Sequence, residues 1–168
     1  LEGAEAAAAT SSGMGAITAA LWTIVQAGSR VIADPTLYGC TYAFLAHGLS
    51  RFGVDVSFID TADLGQLRAA LKENTAAVYL ESPANPTLKI IDLALVARTA
   101  HEYNENIKVI CDNTFATPFL QNPLALGCDL VVHSATKYLN GHGDVIAGFV
   151  AGPRELIDQV KMIGIKDM

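Results

Sequence analysis

The chain has 168 residues, 51% of them hydrophobic and 17% charged, and a formal net charge of −6 at pH 7. That composition excludes a disordered chain, and the length suffices for one α/β domain with a substantial core. No run approaches the roughly 18 uninterrupted apolar residues of a membrane span, and the 11 basic residues form no cluster, so neither a membrane nor a nucleic-acid partner is expected.

In chain order, the spacing predicts a helix over 12–27, with Ser11 or Ser12 as N-cap and Gly28 as its stop. A strand over 30–33 follows, then Asp34-Pro35-Thr36 and a helix running to about Leu49. Strands are expected at 54–59, 76–80, 108–111, 130–133 and 145–151. Helices are expected at 63–72, 92–103 and 153–163, and the stretch after Cys111 reads as irregular. Apolar strands alternating with helices predict an α/β fold, a mostly parallel sheet sandwiched by helices. Ligands of such sheets bind beyond the strands' carboxyl ends. No repeat or linker interrupts the chain, which reads as one domain over 1–168. It starts without methionine, has an acidic rather than a cationic N-terminus, and stops abruptly at Met168, so a fragment of a longer protein is expected.

Chemistry-bearing residues recur at the predicted strand ends. Thr10-Ser11-Ser12-Gly13-Met14-Gly15 opens a helix whose free Gly13 and Met14 N–H groups could bind an anion, or it is simply a capped start with small residues for packing. Tyr38 could stack on a flat ring or donate a proton, or be a boundary tyrosine; Cys40, one turn into the helix, is a functional thiol or a small buried hydrophobe. Glu81-Ser82-Pro83-Ala84-Asn85-Pro86 fixes the backbone around Asn85, a candidate hydrogen-bonder to a ligand oxygen or a plain turn residue. Asp112, ending an apolar strand, could hold a protonated ring nitrogen, bind Mg²⁺ or cap a helix. Ser134-Ala135-Thr136-Lys137 places two hydroxyls and an amine together, the set that holds a phosphorylated aldehyde while a lysine forms a Schiff base with it. The three cysteines, Cys40, Cys111 and Cys128, lack CxxC spacing and read as reduced and cytoplasmic. His47, His101, His133 and His142 show no metal-ligand spacing, so no metal is expected, and only His142 falls in a loop near the site. Phosphate cup, ring stacker, ring-nitrogen carboxylate, ring-oxygen donor and lysine together describe pyridoxal 5′-phosphate.

These motifs, with Tyr38-Gly39 and Ser134-Ala135-Thr136-Lys137-Tyr138 in register along the whole chain, resemble the Cys/Met-metabolism family of PLP enzymes, which have the aspartate-aminotransferase-like fold. The resemblance implies that Lys137 anchors the cofactor and shuttles protons, that Asp112 pairs with the ring nitrogen, and that Tyr38 stacks and protonates a departing thiolate. It implies phosphate binding by Gly13, Met14, Ser134 and Thr136, a ring-hydroxyl contact from Asn85, and a substrate pocket shaped by Cys40, Glu81, Lys166 and Asp167. The implied reaction is α,γ-elimination of L-methionine to methanethiol, 2-oxobutanoate and ammonia. Preference for cystathionine or an O-acylhomoserine is the alternative within the family, and an inactive cofactor-domain fragment is another. A nucleotide-dependent oxidoreductase would need a glycine fingerprint after the first strand, which is absent. A cytoplasmic homotetramer of active dimers is also implied. So are an N-terminal arm and a C-terminal domain that supply further phosphate and carboxylate contacts; neither lies in these residues.

Overall fold

The computed structural model of the chain describes residues 1–167. Its centre is a seven-stranded sheet of order β1-β7-β6-β5-β4-β2-β3, built from β1 (Ala6–Thr10), β2 (Arg30–Ala33), β3 (Asp55–Phe58), β4 (Thr75–Glu81), β5 (Lys108–Asp112), β6 (Leu130–Ser134) and β7 (Gly148–Gly152). β2 through β6 pair in parallel, while β7 runs antiparallel to both its neighbours. The carboxyl ends of every strand but β7 therefore point to one edge, which is where a sheet of this kind builds its site.

Strands β2, β4, β5 and β6 are buried almost throughout, which explains their continuous apolar sequences. On one face lies α1 (Gly13–Ile24), whose Ala16, Ile17, Ala20 and Leu21 pack with Val31, Ile110 and Val132. The other face carries α3 (Leu64–Ala70) and α4 (Leu93–Tyr103), packed through Leu67, Leu93 and Val96 onto Val78, Leu80 and Val109. Asp63 and Asp92 cap these helices by accepting backbone amides of their first turns.

Several boundaries differ from expectation. β1 was not predicted, because a run of alanines has low strand propensity; its pairing with β7 makes it a strand. The last strand begins at Gly148 rather than 145, and residues 145–147 are loop. Ser12 is the N-cap of α1 as expected, but the helix ends at Ile24, before Gly28. Gly28, with φ 88, instead serves the turn into β2, in which Ser29 closes back on Gln26. The helix after Thr36 is α2 (Gly39–Ala43), continued as a π-helical turn over Phe44–Gly48 and a 3₁₀ turn over Leu49–Phe52. The irregular stretch holds α5 (Thr117–Leu120) and a 3₁₀ turn over Pro123–Leu126. The final helix is α6 (Arg154–Gln159), continued by π-helical turns over Val160–Lys166.

Candidate active site

A cavity of about 660 Å³ opens at the carboxyl edge of the sheet. Its anion end is built by α1 and β6. A Cβ on Gly13 would lie 2.6 Å from Ser134 Cβ, and one on Gly148 would lie 2.1 Å from Ser12 O, so both glycines are required for the helix start to sit against the strand ends. Ser12 Oγ accepts the Gly15 amide at 3.0 Å and Ser12 O accepts that of Ala16. The Gly13 and Met14 amides thus remain without a partner among the described residues, at the positive end of a helix, with the Ser134 side chain beside them. The Thr136 hydroxyl also lines the cavity, but it exchanges hydrogen bonds of 3.1 Å with Ala147 O and Ala147 N. Its role is to fold the 136–147 loop back onto the site, and its proton is already committed.

The floor holds two carboxylates. Parallel register sets Glu81 of β4 beside Asp112 of β5, both buried. Burial pushes Asp112 above the usual carboxylate range, while the Thr114 hydroxyl and amide and the nearby His133 act the other way. Burial also pushes Glu81 up, to about 7, helped by the charge of Asp112 and opposed by the amides of Tyr38 and Asn85. Tyr79 is wholly buried next to Asp112, and its hydroxyl has no partner of hydrogen-bond geometry. No Lys or Arg pairs with Asp112 among the described residues. A buried acid at the bottom of a cavity, unpaired by any cation of its own, fits the protonated ring nitrogen of a pyridine.

Lys137, exposed in the turn after β6, lines the same cavity and makes no ion pair among the described residues. Tyr38, 47% exposed, stands at the start of α2, and Asn85 is held in a loop whose Ser82–Pro83 and Asn85–Pro86 bonds are cis. Cys40 beside the Tyr38 phenol raises its pKa, in the direction that favours the already protonated hydroxyl.

The structure therefore brings Gly13, Met14, Tyr38, Glu81, Asn85, Asp112, Ser134, Thr136 and Lys137 to one cavity. It leaves out Cys40, Lys166 and Asp167, all exposed and absent from the lining. Cys40 faces outward from the first turn of α2 and reaches the site only through Tyr38, while Lys166 and Asp167 end the chain's last helical turns. Sequence reasoning missed Phe115 and Tyr138, which meet edge to face at 5.8 Å on the cavity wall. It also missed the network beneath the sheet edge: His133 Nε2 lies 2.5 Å from Glu2 Oε1, which accepts from Asn113 Nδ2 at 2.8 Å. No local signal announces Glu2, because its partners lie more than a hundred residues away. No cluster of three potential metal ligands occurs among the described residues.

Two free amides at a helix start, a buried acid and an unpaired lysine gather at the carboxyl edge of this sheet. Residues 1–165 match the family model described as Cys/Met metabolism PLP-dependent enzyme, and the chain belongs to that family. It is 61% identical over 168 residues to an L-methionine gamma-lyase of Treponema denticola, covering 100% of this chain and 42% of that protein. It is 43% identical over 164 residues to a cystathionine gamma-lyase of Bacillus subtilis, covering 97% of this chain and 42% of the relative. Among solved structures, metB from Corynebacterium glutamicum superposes with a TM-score of 0.93 at 36% identity, over 97% of this chain and 42% of that one. The chain thus spans well under half the length of these relatives.

Proposed function

We propose that the full-length protein is a methionine γ-lyase, carrying out PLP-dependent α,γ-elimination of L-methionine to methanethiol, 2-oxobutanoate and ammonia. The observation that carries this reading is the convergence of unpartnered Gly13 and Met14 amides, unpaired Asp112 and unpaired Lys137 in one cavity. The 61% identity to a protein named L-methionine gamma-lyase supports the choice of substrate. When bound, the cofactor supplies an electron sink for the substrate's α- and β-carbons.

The chain's own residues divide the remaining work. Gly13 and Met14 amides and the Ser134 hydroxyl would hold the phosphate, and Asp112 would hold the ring nitrogen's proton in place. Asn85 would contact the ring's edge, and Tyr38 would cover its face. Lys137 Nζ would anchor the cofactor and, once released by substrate, move protons at Cα and Cβ. The Tyr38 hydroxyl, protonated at neutral pH like any phenol, would give its proton to the departing sulfur. No arginine lines the cavity among the described residues, so the substrate carboxylate would be bound by the part of the protein outside these residues. We read residues 1–168 as the large cofactor domain of that longer protein.

Cystathionine or an O-acylhomoserine is the second reading, supported by relatives at 43% identity named cystathionine gamma-lyase and O-succinylhomoserine sulfhydrylase. Measuring 2-oxobutanoate release by the full-length protein from L-methionine, L-cystathionine and O-succinylhomoserine separates them. Methionine is expected to give the highest kcat/KM, and a tenfold preference for cystathionine would overturn the first reading. A homotetramer in the cytoplasm is part of the same proposal, and subunit contact would cover the exposed apolar side chains of Phe119 and Leu120. No helix among the described residues is long and apolar enough to cross a membrane.

A further inference from the structure

Glu81 lines the cavity and also makes contacts on either side of it. Its Oε2 accepts the backbone N–H of Tyr38 at 2.9 Å and its Oε1 accepts that of Asn85 at 3.0 Å. These amides belong to two separate loops: one leads from β2 into α2, the other follows β4. Lys89 Nζ also joins the two loops, at 2.7 Å from the buried Asp34 Oδ2, but it does so four residues away from either amide, and Glu81 is the side chain that holds Tyr38 N and Asn85 N themselves. Tyr38 begins α2 without a side-chain cap, and α2 is only five residues long before it passes into a π-helical turn. The Asn85 loop closes on itself through Ala84 N to Lys89 O and Leu88 N to Ala84 O, and it is anchored at its two ends, by Gln121 Nε2 on Ser82 O and by Lys89 Nζ on Asp34, which leaves the Asn85 tip between them to Glu81. Glu81 is fixed in its turn, buried at the end of β4 beside Asp112.

We propose that Glu81 is a positioning residue, one carboxylate that clamps the Tyr38 and Asn85 loops at a set spacing on either side of the cofactor ring. The assignment rests on the pyridoxal phosphate reading of the cavity and deepens it. A carboxylate can accept from both amides at once, which no neutral side chain of the same size can do. Glu81→Gln keeps the volume and one acceptor but turns an NH₂ group toward the other amide, so one loop is released. Glu81→Ala releases both. The ring stacker and the edge contact then lose their fixed relation while the Gly13–Met14 cup, Asp112 and Lys137 stay in place.

The test uses the full-length protein as wild type, Glu81→Gln and Glu81→Ala. Amide hydrogen exchange is read at Tyr38 and Asn85 in the apoprotein, with Val78 and Val109 in the strands as controls. The circular dichroism of the bound cofactor is read in the loaded protein. The clamp predicts roughly tenfold faster exchange at Tyr38 and Asn85 in Glu81→Ala, with strand amides unchanged. In Glu81→Gln only one of the two sites accelerates. It predicts a weakened cofactor dichroic band and a loss in kcat that exceeds any rise in KM. Unchanged exchange at both amides in a folded Glu81→Ala protein overturns the clamp. Equal acceleration at Val78 and Val109 also overturns it, by showing a general loss of structure. If the wild type takes up no cofactor, the reading of the cavity fails, and the apoprotein exchange still decides whether Glu81 ties the two loops.

Discussion

Replacing Gly13 by alanine would set a methyl carbon 2.6 Å from Ser134 Cβ, 2.8 Å from its Oγ and 2.9 Å from its Cα. Ordinary contact begins at 3.4 Å, and neither Cα nor Cβ can rotate away, so the start of α1 must retreat from β6 by most of an ångström. Overpacking of this kind costs about 1–3 kcal/mol of stability. The retreat also carries the Gly13 and Met14 amides away from the phosphate they would bind. A hydrogen bond to a charged group contributes about 1.5–3 kcal/mol, so losing one weakens affinity for pyridoxal phosphate roughly 10–100-fold. Titration of the full-length apoprotein with the cofactor, alongside thermal unfolding, measures both effects. Gly15→Ala is the control, since its nearest contact would be 3.3 Å, to Thr10 Cβ, and its amide is already capped by Ser12. A Gly13→Ala protein with lowered melting temperature but affinity within twofold of wild type would refute the placement of the phosphate.

The other expectations concern buried groups. Glu81 is raised from 4.5 to about 7, so the folded apoprotein keeps a proton that the unfolded chain gives up. The stability this adds is complete below about pH 4.5 and fades as pH rises through 7, by about 3 kcal/mol in all. Asp112 is also raised and acts in the same sense, whereas Asp34 is held low and acts oppositely, only as pH falls below its ordinary range. The urea midpoint of the apoprotein should therefore drop between pH 5.5 and 8, less so in Glu81→Gln, and a flat wild-type profile contradicts the burial argument. Asp112→Asn should stabilise the apoprotein at pH 8, because a buried charge is removed, while lowering kcat by about 100-fold or more, since an amide cannot hold a cationic ring nitrogen. Unaltered turnover would remove Asp112 from the site. Glu2→Ala leaves His133 Nε2 buried without its acceptor and Asn113 Nδ2 with Gln121 O alone and should cost about 2 kcal/mol; a loss below about 0.5 kcal/mol in denaturant unfolding would show that the pair is not structural.

Strand-end residues were legible in the sequence because each closes a continuous apolar run: Glu81 after Val78-Tyr79-Leu80, Asp112 after Val109-Ile110-Cys111, and the Lys137 turn after Val131-Val132. Alternation of such runs with capped helices was enough to place these side chains on one edge. What stayed hidden depends on tertiary partners. β1 is an alanine run that pairing alone makes a strand. The Glu2–His133 contact joins residues 131 positions apart. Thr136 carries the right chemistry at the right place, yet the loop from 141 to 147 claims its hydroxyl. Cys40 shares a sequence motif with Tyr38, but Tyr38 is the residue that precedes α2 while Cys40 lies inside its first turn, and only Tyr38 lines the cavity.

Borohydride reduction of the purified full-length protein, followed by peptide mapping, tests the cofactor site most directly. A phosphopyridoxyl adduct is predicted on Lys137 and nowhere else, and it should vanish in Lys137→Ala. No adduct, or one on another lysine with Lys137 unmodified, would contradict the assignment of this cavity.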